Sequence, residues 1–340
     1  MTTEIWLVTE GEHTKATVYG PVGMPDFPEF VWKQDDERVH IDGWNELYQL
    51  LCTKNPVGLT PAYVDERLVE VLKHWLLTEA EGEDSELRMW IDQIVDTDPD
   101  EVMAARWICR ARHVMVVTGA GMSTESNLPD FRSKDGWWRN IDPVTVATVE
   151  ALEKQYELFH AFYQARLEAL YEAEPHQGHN ILAKWEEVGV VSGIATQNVD
   201  GLHTAAGSEQ VHELHGSIHS IRCYSCGQEA ELHAFHEGRG CDSCDGKLRP
   251  GVVLFGEMLP QKAWDEALKQ IEQADVVLVI GTSLEVYPAN QLPWMTRGRT
   301  VYMNMELNAD ASAFDAVITG KAKEVLTKLD KKLELYCANN

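Results

Sequence analysis

The sequence predicts an α/β protein: a parallel sheet whose strand ends face one crevice, a smaller inserted domain, and an accessory region ahead of both. Three observations predict this. Short, valine-rich runs at Val114–Val117, Val190–Ala195 and Val276–Ile280 suit strands buried on both faces. Each runs directly into glycine or small polar residues, the chemistry found where open α/β sheets bind ligands beyond their strand ends. Between the second and third runs stand two Cys-x-x-Cys pairs, which a plain α/β sheet does not need.

Residues 1–95 form the accessory region, and nothing in them names a chemistry. Six of the eleven tryptophans lie before His113 and need a core or an interface to bury them. Thr60-Pro61 opens a predicted helix with Val64, Leu68, Val71, Leu72 and Trp75 on one side. Thr78–Asp100 holds nine acidic residues against one basic residue, Arg88. That run reads as a solvated face or linker, or else as a dock for basic protein segments. Asp98-Pro99-Asp100-Glu101 is a helix start, with a capping aspartate, a first-turn proline and a reciprocal glutamate. The helix is expected to reach about Arg112 and to feed the Val114 strand, so the main domain is set to begin at this helix start.

The organising stretch is Val114–Ser133. After the strand, Gly119 and Gly121 permit a tight turn and close approach. Small polar residues follow, as expected where backbone N–H groups meet an anion. The third glycine of the full dinucleotide fingerprint is absent, because Thr124 occupies its place. Residues 144–172 read as helical, with Leu152, Tyr156, Phe159 and Tyr163 at helical spacing. Thr300–Asn304 supplies a fourth strand, and the segment from Phe314 onward reads as a closing amphipathic helix.

The chain has 340 residues and a net charge of −26, which argues against a broad nucleic-acid surface. No apolar run reaches bilayer-spanning length, and the N-terminus lacks the basic start and apolar core of a secretory signal. Cys223-x-x-Cys226 and Cys241-x-x-Cys244 satisfy tetrahedral zinc with four thiolates. Such a closed sphere makes the metal structural, in a module of about 218–250. His233 and His236 lie within its loop and are not needed as ligands. Cys52, Cys109 and Cys337 read as core or surface thiols, and the cysteine pattern as that of a cytoplasmic protein.

Taken together, these motifs resemble the sirtuin family of NAD-dependent protein lysine deacylases over roughly residues 97–335. The resemblance rests on Gly119–Ser123 with Pro129–Ser133, Thr196–His203, Glu213–Ser217, the two cysteine pairs, Arg249–Glu257 and Gly281–Pro288, in that order. One departure is Asn127-Leu128 where the family has Gly-Ile; asparagine tolerates positive φ, so the turn is expected to survive.

The resemblance implies a Rossmann-like parallel sheet with a smaller zinc-ribbon and helical domain inserted, and a cleft between them. NAD would lie over Gly119, Ala120, Gly121 and Ser123, its pyrophosphate held by backbone N–H groups. Phe131 would cover the reactive face and exclude water, Arg132 would stay with its mobile loop, and Asp130 would be counted with them among the cofactor-binding residues. Gln197, Asn198 and Asp200 would surround the nicotinamide ribose, with Asn198 and Asp200 counted as catalytic. Gly281, Thr282, Ser283, Asn304 and Glu306 would take the adenosine half, although Asn304 and Glu306 also fit a plain strand end. His215 would be the general base that deprotonates a ribose hydroxyl. Val253, Phe255, Gly256 and Glu257 would pair with the substrate backbone as an added strand.

The implied activity is transfer of an acyl group from lysine to ADP-ribose with release of nicotinamide. NAD hydrolysis or ADP-ribosyl transfer on the same fold is the alternative, and a zinc-ribbon binding module the third reading. Tyr163 and Arg166, three apart on the predicted helix, resemble the pair of the subgroup that removes succinyl and other acidic acyl groups. They also fit an ordinary amphipathic helix. Lys134 departs from that subgroup. The partners implied are acylated-lysine proteins, without nucleic acid or membrane; oligomeric state is left open.

Overall fold

The computed structural model describes residues 2–9, 12–19, 29–34, 37–42, 99–128, 143–307 and 311–337. The predicted helix from Thr60, the cap Asp98, Cys52, and the loop residues Asp130, Phe131, Arg132 and Lys134 lie outside them. The chain divides into two compact units, 1–109 with 331–340, and 110–330.

In the first unit, β1 (Thr2–Thr9), β2 (Glu12–Tyr19), β3 (Glu29–Gln34) and β4 (Glu37–Asp42) form an antiparallel meander. Helix α1 (Pro99–Arg110) starts at its proline and stops two residues short of the expected end. The buried Glu101 carboxylate is paired with Lys332 at 2.8 Å, which offsets the cost of burying the charge. Cys109 is disulfide-bonded, not the thiol expected from sequence.

The second unit begins with β5 (Val114–Thr118) and the helices α2 (Pro143–Val146), α3 (Val149–Lys154), α4 (Tyr156–Tyr171) and α5 (Gln177–Glu187). Then come β6 (Gly193–Thr196), α6 (Leu202–Ala205), β7 (Val211–Glu213), β8 (Gly216–Cys223), β9 (Glu229–Ala230), α7 (Leu232–His236) and β10 (Leu248–Val252). The unit closes with α8 (Gln261–Gln273), β11 (Val276–Ile280), β12 (Arg299–Asn304), β13 (Ala316–Thr319) and α9 (Ala322–Cys337), whose last residues fall in the first unit.

Six strands form one parallel sheet in the order β7-β6-β5-β11-β12-β13. In chain order this is the doubly wound 3-2-1-4-5-6 arrangement. Every residue of β5, β6 and β11 is buried, as the valine-rich runs require. Alternate residues Met115, Val117, Val277 and Val279 share a core with Ala267 and Ile271 of α8. The central strands β5, β6 and β11 end flush, Thr118 pairing with Thr196 on one side and Ile280 on the other; Ile280 is level with Met303, and β12 runs one residue further to Asn304.

A second lobe is built from the antiparallel sheet β10-β8-β9. Its core joins Val146, Leu152, Phe159, Tyr163 and Leu167 of α2–α4 to Ile218, Ile221, Cys223, Cys241 and Leu248.

Three expectations differ in detail. The helix expected over 144–172 is three helices, because the chain leaves helical geometry at Thr148 and Gln155. Thr148 is extended and caps α3 by accepting from the Ala151 N–H at 3.1 Å. The strand expected from Val190 begins at Gly193, because the Val190 and Val191 N–H groups bond the Trp185 carbonyl at the end of α5. The segment from Phe314 first contributes β13 and only then α9; a four-residue edge strand is too short to show its own period.

Candidate active site

The site lies at the carboxyl ends of β5, β6, β11 and β12, at the switch point where the chain, having built one half of the sheet, returns beside β5. Here the turn after β5 is locked to the turn after β11. The Gly119 N–H donates to Ile280 O at 3.1 Å, and the Gly121 N–H to Gly281 O at 2.7 Å. A Cβ on Gly119 would meet Thr282 Cβ at 2.6 Å, and one on Gly121 would meet Gly281 Cα at 2.8 Å. Gly281 itself sits at φ +62. The glycines are therefore required by the approach of two loops to each other.

This changes the account of the turn. The N–H groups of Gly119, Gly121, Met122 and Ser123 are all spent on carbonyls within the chain. Ala120 carries the turn's one N–H without an acceptor among the described residues. Among the described residues up to Leu128 no α-helix follows, only two short 3₁₀ turns, Ala120–Met122 and Thr124–Ser126, and Thr124, in the place of the third glycine, lies in the second of them. Asn127 ends the second of them at φ 62, ψ 20, the left-handed conformation expected of it.

The loop after β6 faces this turn through side chains. Asn198 Nδ2 donates to Gly119 O at 3.0 Å and to Ser123 Oγ at 3.1 Å, which leaves Oδ1 as its open acceptor. Ser123 Oγ donates to Asp200 Oδ2 at 2.7 Å, and Asp200 Oδ1 accepts from the Leu202 N–H at 3.0 Å. Gln197 Nε2 donates to Thr282 Oγ1 at 3.1 Å, which ties the β6 loop to the β11 loop. Asn304 Nδ2 donates to Thr282 O at 3.2 Å and Tyr302 Oη at 2.8 Å; the Tyr302 hydroxyl donates to the same carbonyl at 2.9 Å. Ser283 is half-buried and Glu306 exposed.

His215 stands just ahead of β8. Its Nδ1 lies 2.9 Å from Gln197 O. A carbonyl only accepts, so Nδ1 carries the proton and Nε2 is the lone pair. Burial pushes the ring's pKa below its ordinary value and outweighs the opposing effect of that hydrogen bond, so the ring is a neutral base at neutral pH.

The segment after β10 is tied down from several sides. The Val253 N–H donates to His215 O and the Phe255 N–H to Ala147 O, both at 2.8 Å. The Glu257 carboxylate grips Arg249, accepting from Nη1 at 2.5 Å and from Nη2 at 3.0 Å, and takes the Leu254 N–H at 2.8 Å. Of Val253–Glu257, only the Gly256 N–H has no acceptor among the described residues, and the Phe255 side chain is 51% exposed. Arg249, which sequence reasoning did not single out, is 1% exposed and is the centre of this segment. Its signal was a lone arginine between apolar residues, eight positions before a glutamate.

Tyr163 and Arg166 lie on α4. Tyr163 is 2% exposed and its pKa is pushed up to about 12 by burial, against the opposing charge of Arg166. Arg166 is half-buried and sits over the Phe162 ring at 5.7 Å. Burial lowers its pKa, while Tyr163 and Asp200 act in the other direction, so the field of Asp200 reaches it.

The four cysteines meet in the second lobe. Cys223 and Cys244 Sγ atoms are 3.5 Å apart, Cys226 and Cys241 3.7 Å, and all four lie within 4.8 Å of one another. A tetrahedron with Zn–S bonds of about 2.3 Å has edges of about 3.8 Å, so the set fits zinc, and four thiolates leave no position for substrate.

A doubly wound dinucleotide-type sheet with a four-thiolate zinc lobe beside its switch point defines the class. Residues 119–288 match the Sir2 family. The chain is 47% identical over 232 residues to NAD-dependent protein deacetylase 1 of Geobacillus kaustophilus, covering 67% of this chain and 96% of that one. Its fold is similar to a solved Sir2 homolog–NAD complex, with TM-score 0.65 and 37% identity over 68% of this chain and 93% of that chain. It is also similar to a Sir2–p53 peptide–NAD+ structure, with TM-score 0.63 and 30% identity over 69% and 98%. The chain belongs to the Sir2 family.

Proposed function

We propose that this chain is an NAD-dependent protein lysine deacylase, an acyltransferase that moves the acyl group of a protein lysine to ADP-ribose and releases nicotinamide. The observation that carries the reading is His215: a neutral ring with its Nδ1 proton committed to Gln197 O and its Nε2 open. It stands beside the Ser123–Asn198–Asp200 mesh, to which the same β6 loop ties it. Bound NAD supplies the electrophilic ribose carbon and the hydroxyl that must lose its proton. His215 Nε2 takes that proton as general base. Asn198, held by both its N–H bonds, offers Oδ1 to the cofactor, and Asp200 fixes Ser123 and the first turn of α6. Thr282, Ser283, Asn304 and Glu306 serve the adenosine half. The Gly256 N–H and the exposed Phe255 ring receive the peptide, while Val253 and Glu257 hold their segment in shape. The four thiolates hold a structural zinc.

Incubation with NAD and an acetyl-lysine peptide tests this. Nicotinamide release that depends on the peptide is expected; release without peptide would turn the reading to NAD hydrolysis or ADP-ribosyl transfer.

The acyl range extends from acetyl to acidic acyl groups. Support comes from Tyr163 and Arg166, which share one face of α4 with Arg166 in the field of Asp200. A guanidinium fork matches a carboxylate. Arg166→Met should lose desuccinylation by ~10-fold or more, for a charged hydrogen bond of about 1.5–3 kcal/mol, and keep deacetylation. Equal losses on both peptides would make the pair structural.

Among the described residues no helix is long and apolar enough to cross a membrane. A cytoplasmic setting is supported by the four free cysteines of the metal site, while the Cys109 disulfide pulls the other way. Counting thiols in freshly prepared, chelated protein separates the two.

A further inference from the structure

The loop that carries Asn198 and Asp200 is also held from beneath, by a residue without a role so far. We infer that His203, on α6, is a positioning residue for this site, acting through Thr118 at the end of β5. The inference rests on the roles proposed above for Asn198 and Asp200.

His203 is 2% exposed, and its Nε2 lies 3.0 Å from Thr118 Oγ1. Thr118 is fully buried and gives its one hydroxyl proton to Thr196 Oγ1 at 2.8 Å. With that proton spent, Thr118 Oγ1 accepts from His203, so His203 is the tautomer protonated at Nε2. Thr196 Oγ1 in turn accepts the Asn198 N–H at 3.0 Å. The hydrogen bonds thus run without a break from His203 through Thr118 and Thr196 to the backbone of Asn198.

The loop is fixed at both ends by this arrangement. At its start, the Gln197 N–H donates to Thr118 O at 2.9 Å. At its end, Asp200 caps Leu202, the residue before His203. Thr118 is therefore the point where both ends of the loop are referred to the central strand. The His203 ring is held by packing: it meets the ring of His179, which is fully buried, edge-on at 4.9 Å between centroids. His203 Nδ1 is buried with no partner among the described residues, so none of them would receive a second ring proton. The ring is a permanent neutral donor whose one N–H is aimed at one hydroxyl.

Four variants of the full chain test this: His203→Ala, His203→Gln, Thr118→Val, and His203→Ala with Thr118→Val. Each is read by calorimetric NAD affinity, by peptide-dependent nicotinamide release, and by zinc content and melting temperature as folding controls. Glutamine carries an amide N–H where histidine carries Nε2–H, so His203→Gln should stay within ~3-fold of wild type in NAD affinity. His203→Ala should weaken NAD binding and lower turnover by ~10-fold or more, the scale of one lost buried hydrogen bond, with the peptide KM unchanged. Because both residues act in one chain, the double variant should be no worse than ~2-fold below the poorer single variant.

A glutamine variant as poor as alanine, or single-variant losses that multiply in the double, would overturn the inference. So would a fall in melting temperature with NAD affinity unmoved, because that is what a merely structural histidine produces. If the wild type binds NAD but releases no nicotinamide with peptide, the deacylase reading fails, and the affinity series still decides the role of His203.

Discussion

The Arg249–Glu257 pair makes a quantitative prediction. Glu257→Leu leaves a guanidinium that is 2% exposed at its side chain with only the Val252 and Pro250 carbonyls as partners. Breaking a buried pair from one side in this way costs about 3–5 kcal/mol. Arg249→Met is milder. The Glu257 side chain is 22% exposed and keeps the Leu254 N–H, so it can rehydrate, and the loss is about 1.5–3 kcal/mol for charged hydrogen bonds. Replacing both, Arg249→Met with Glu257→Leu, should recover part of the larger loss, because no buried charge is left unpaired. Urea unfolding read by metal release reports on the lobe that contains the pair, and the peptide KM reports on the segment it shapes.

The effect of pH has a definite sign. Burial alone would raise the Glu257 pKa, but the bonds and charge of Arg249, with the Leu254 N–H, outweigh it and hold the carboxylate below its ordinary value of 4.5. The pair's stabilisation is therefore full above that ordinary value and is lost as pH falls through the lower, folded one. The gap between wild type and Glu257→Leu should be flat at neutral pH and close in acid. Single variants within about 0.5 kcal/mol of wild type, or a double variant with simply additive loss, would refute this account of the segment.

His215→Ala should lower turnover by at least ~10²–10⁴-fold with zinc content unchanged; wild-type-like turnover would remove it as the base. Because burial depresses the His215 pKa, the acid limb of kcat/KM should fall below the ordinary 6.5, and a limb at or above that value contradicts the neutral-ring assignment. Cys223→Ser or Cys244→Ser should cut the metal stoichiometry and destabilise the second lobe, checked by elemental analysis and melting. His179 and His203 are pushed down to about 2 and about 3, chiefly by burial. The unfolded chain takes up protons on both rings below pH 6.5 while the folded chain does not. Stability should thus be complete above 6.5 and fall by about 1.4 kcal/mol per pH unit per ring in the acid range, and a urea midpoint unchanged between pH 7.5 and 5 would argue against two neutral buried rings.

Much of this molecule could be read from the sequence, because its strands are buried on both faces and so are written as uninterrupted apolar runs. Val276–Ile280 was exact, and Val114–Thr118 nearly so. The cysteine spacing foretold a cluster whose Sγ distances suit zinc. What escaped depended on partners distant in sequence. Nothing local marks Thr118 as bonded to Thr196 and His203, because that pairing comes from the register of two parallel strands. Gly119 and Gly121 were recognised as needing close approach, but the approaching group is the β11 loop, some 160 residues on. Nothing local pairs Glu257 with Arg249, eight residues earlier, because that pairing depends on how the chain folds back after β10. Short elements such as β7 and β13 carry too few residues to show a period and take their place from neighbours already in the sheet.

The flush ends of the central strands have a consequence for what this chain can tolerate as it varies. With Thr118, Thr196, Ile280 and Met303 on one level, Gly119, Gln197, Gly281 and Asn304 are each the first residue past a common line. The reagents of the site are addressed by their count from that line, much as teeth are set along a straight comb. Adding or deleting one residue inside a strand would turn its side chains to the opposite face and move its whole loop by one step, with three other loops left in place. The same change at the amino end of a strand, where connections return from helices, would be absorbed far from the line. Lineages of this fold should therefore differ in length on one side of the sheet and agree to the residue on the other.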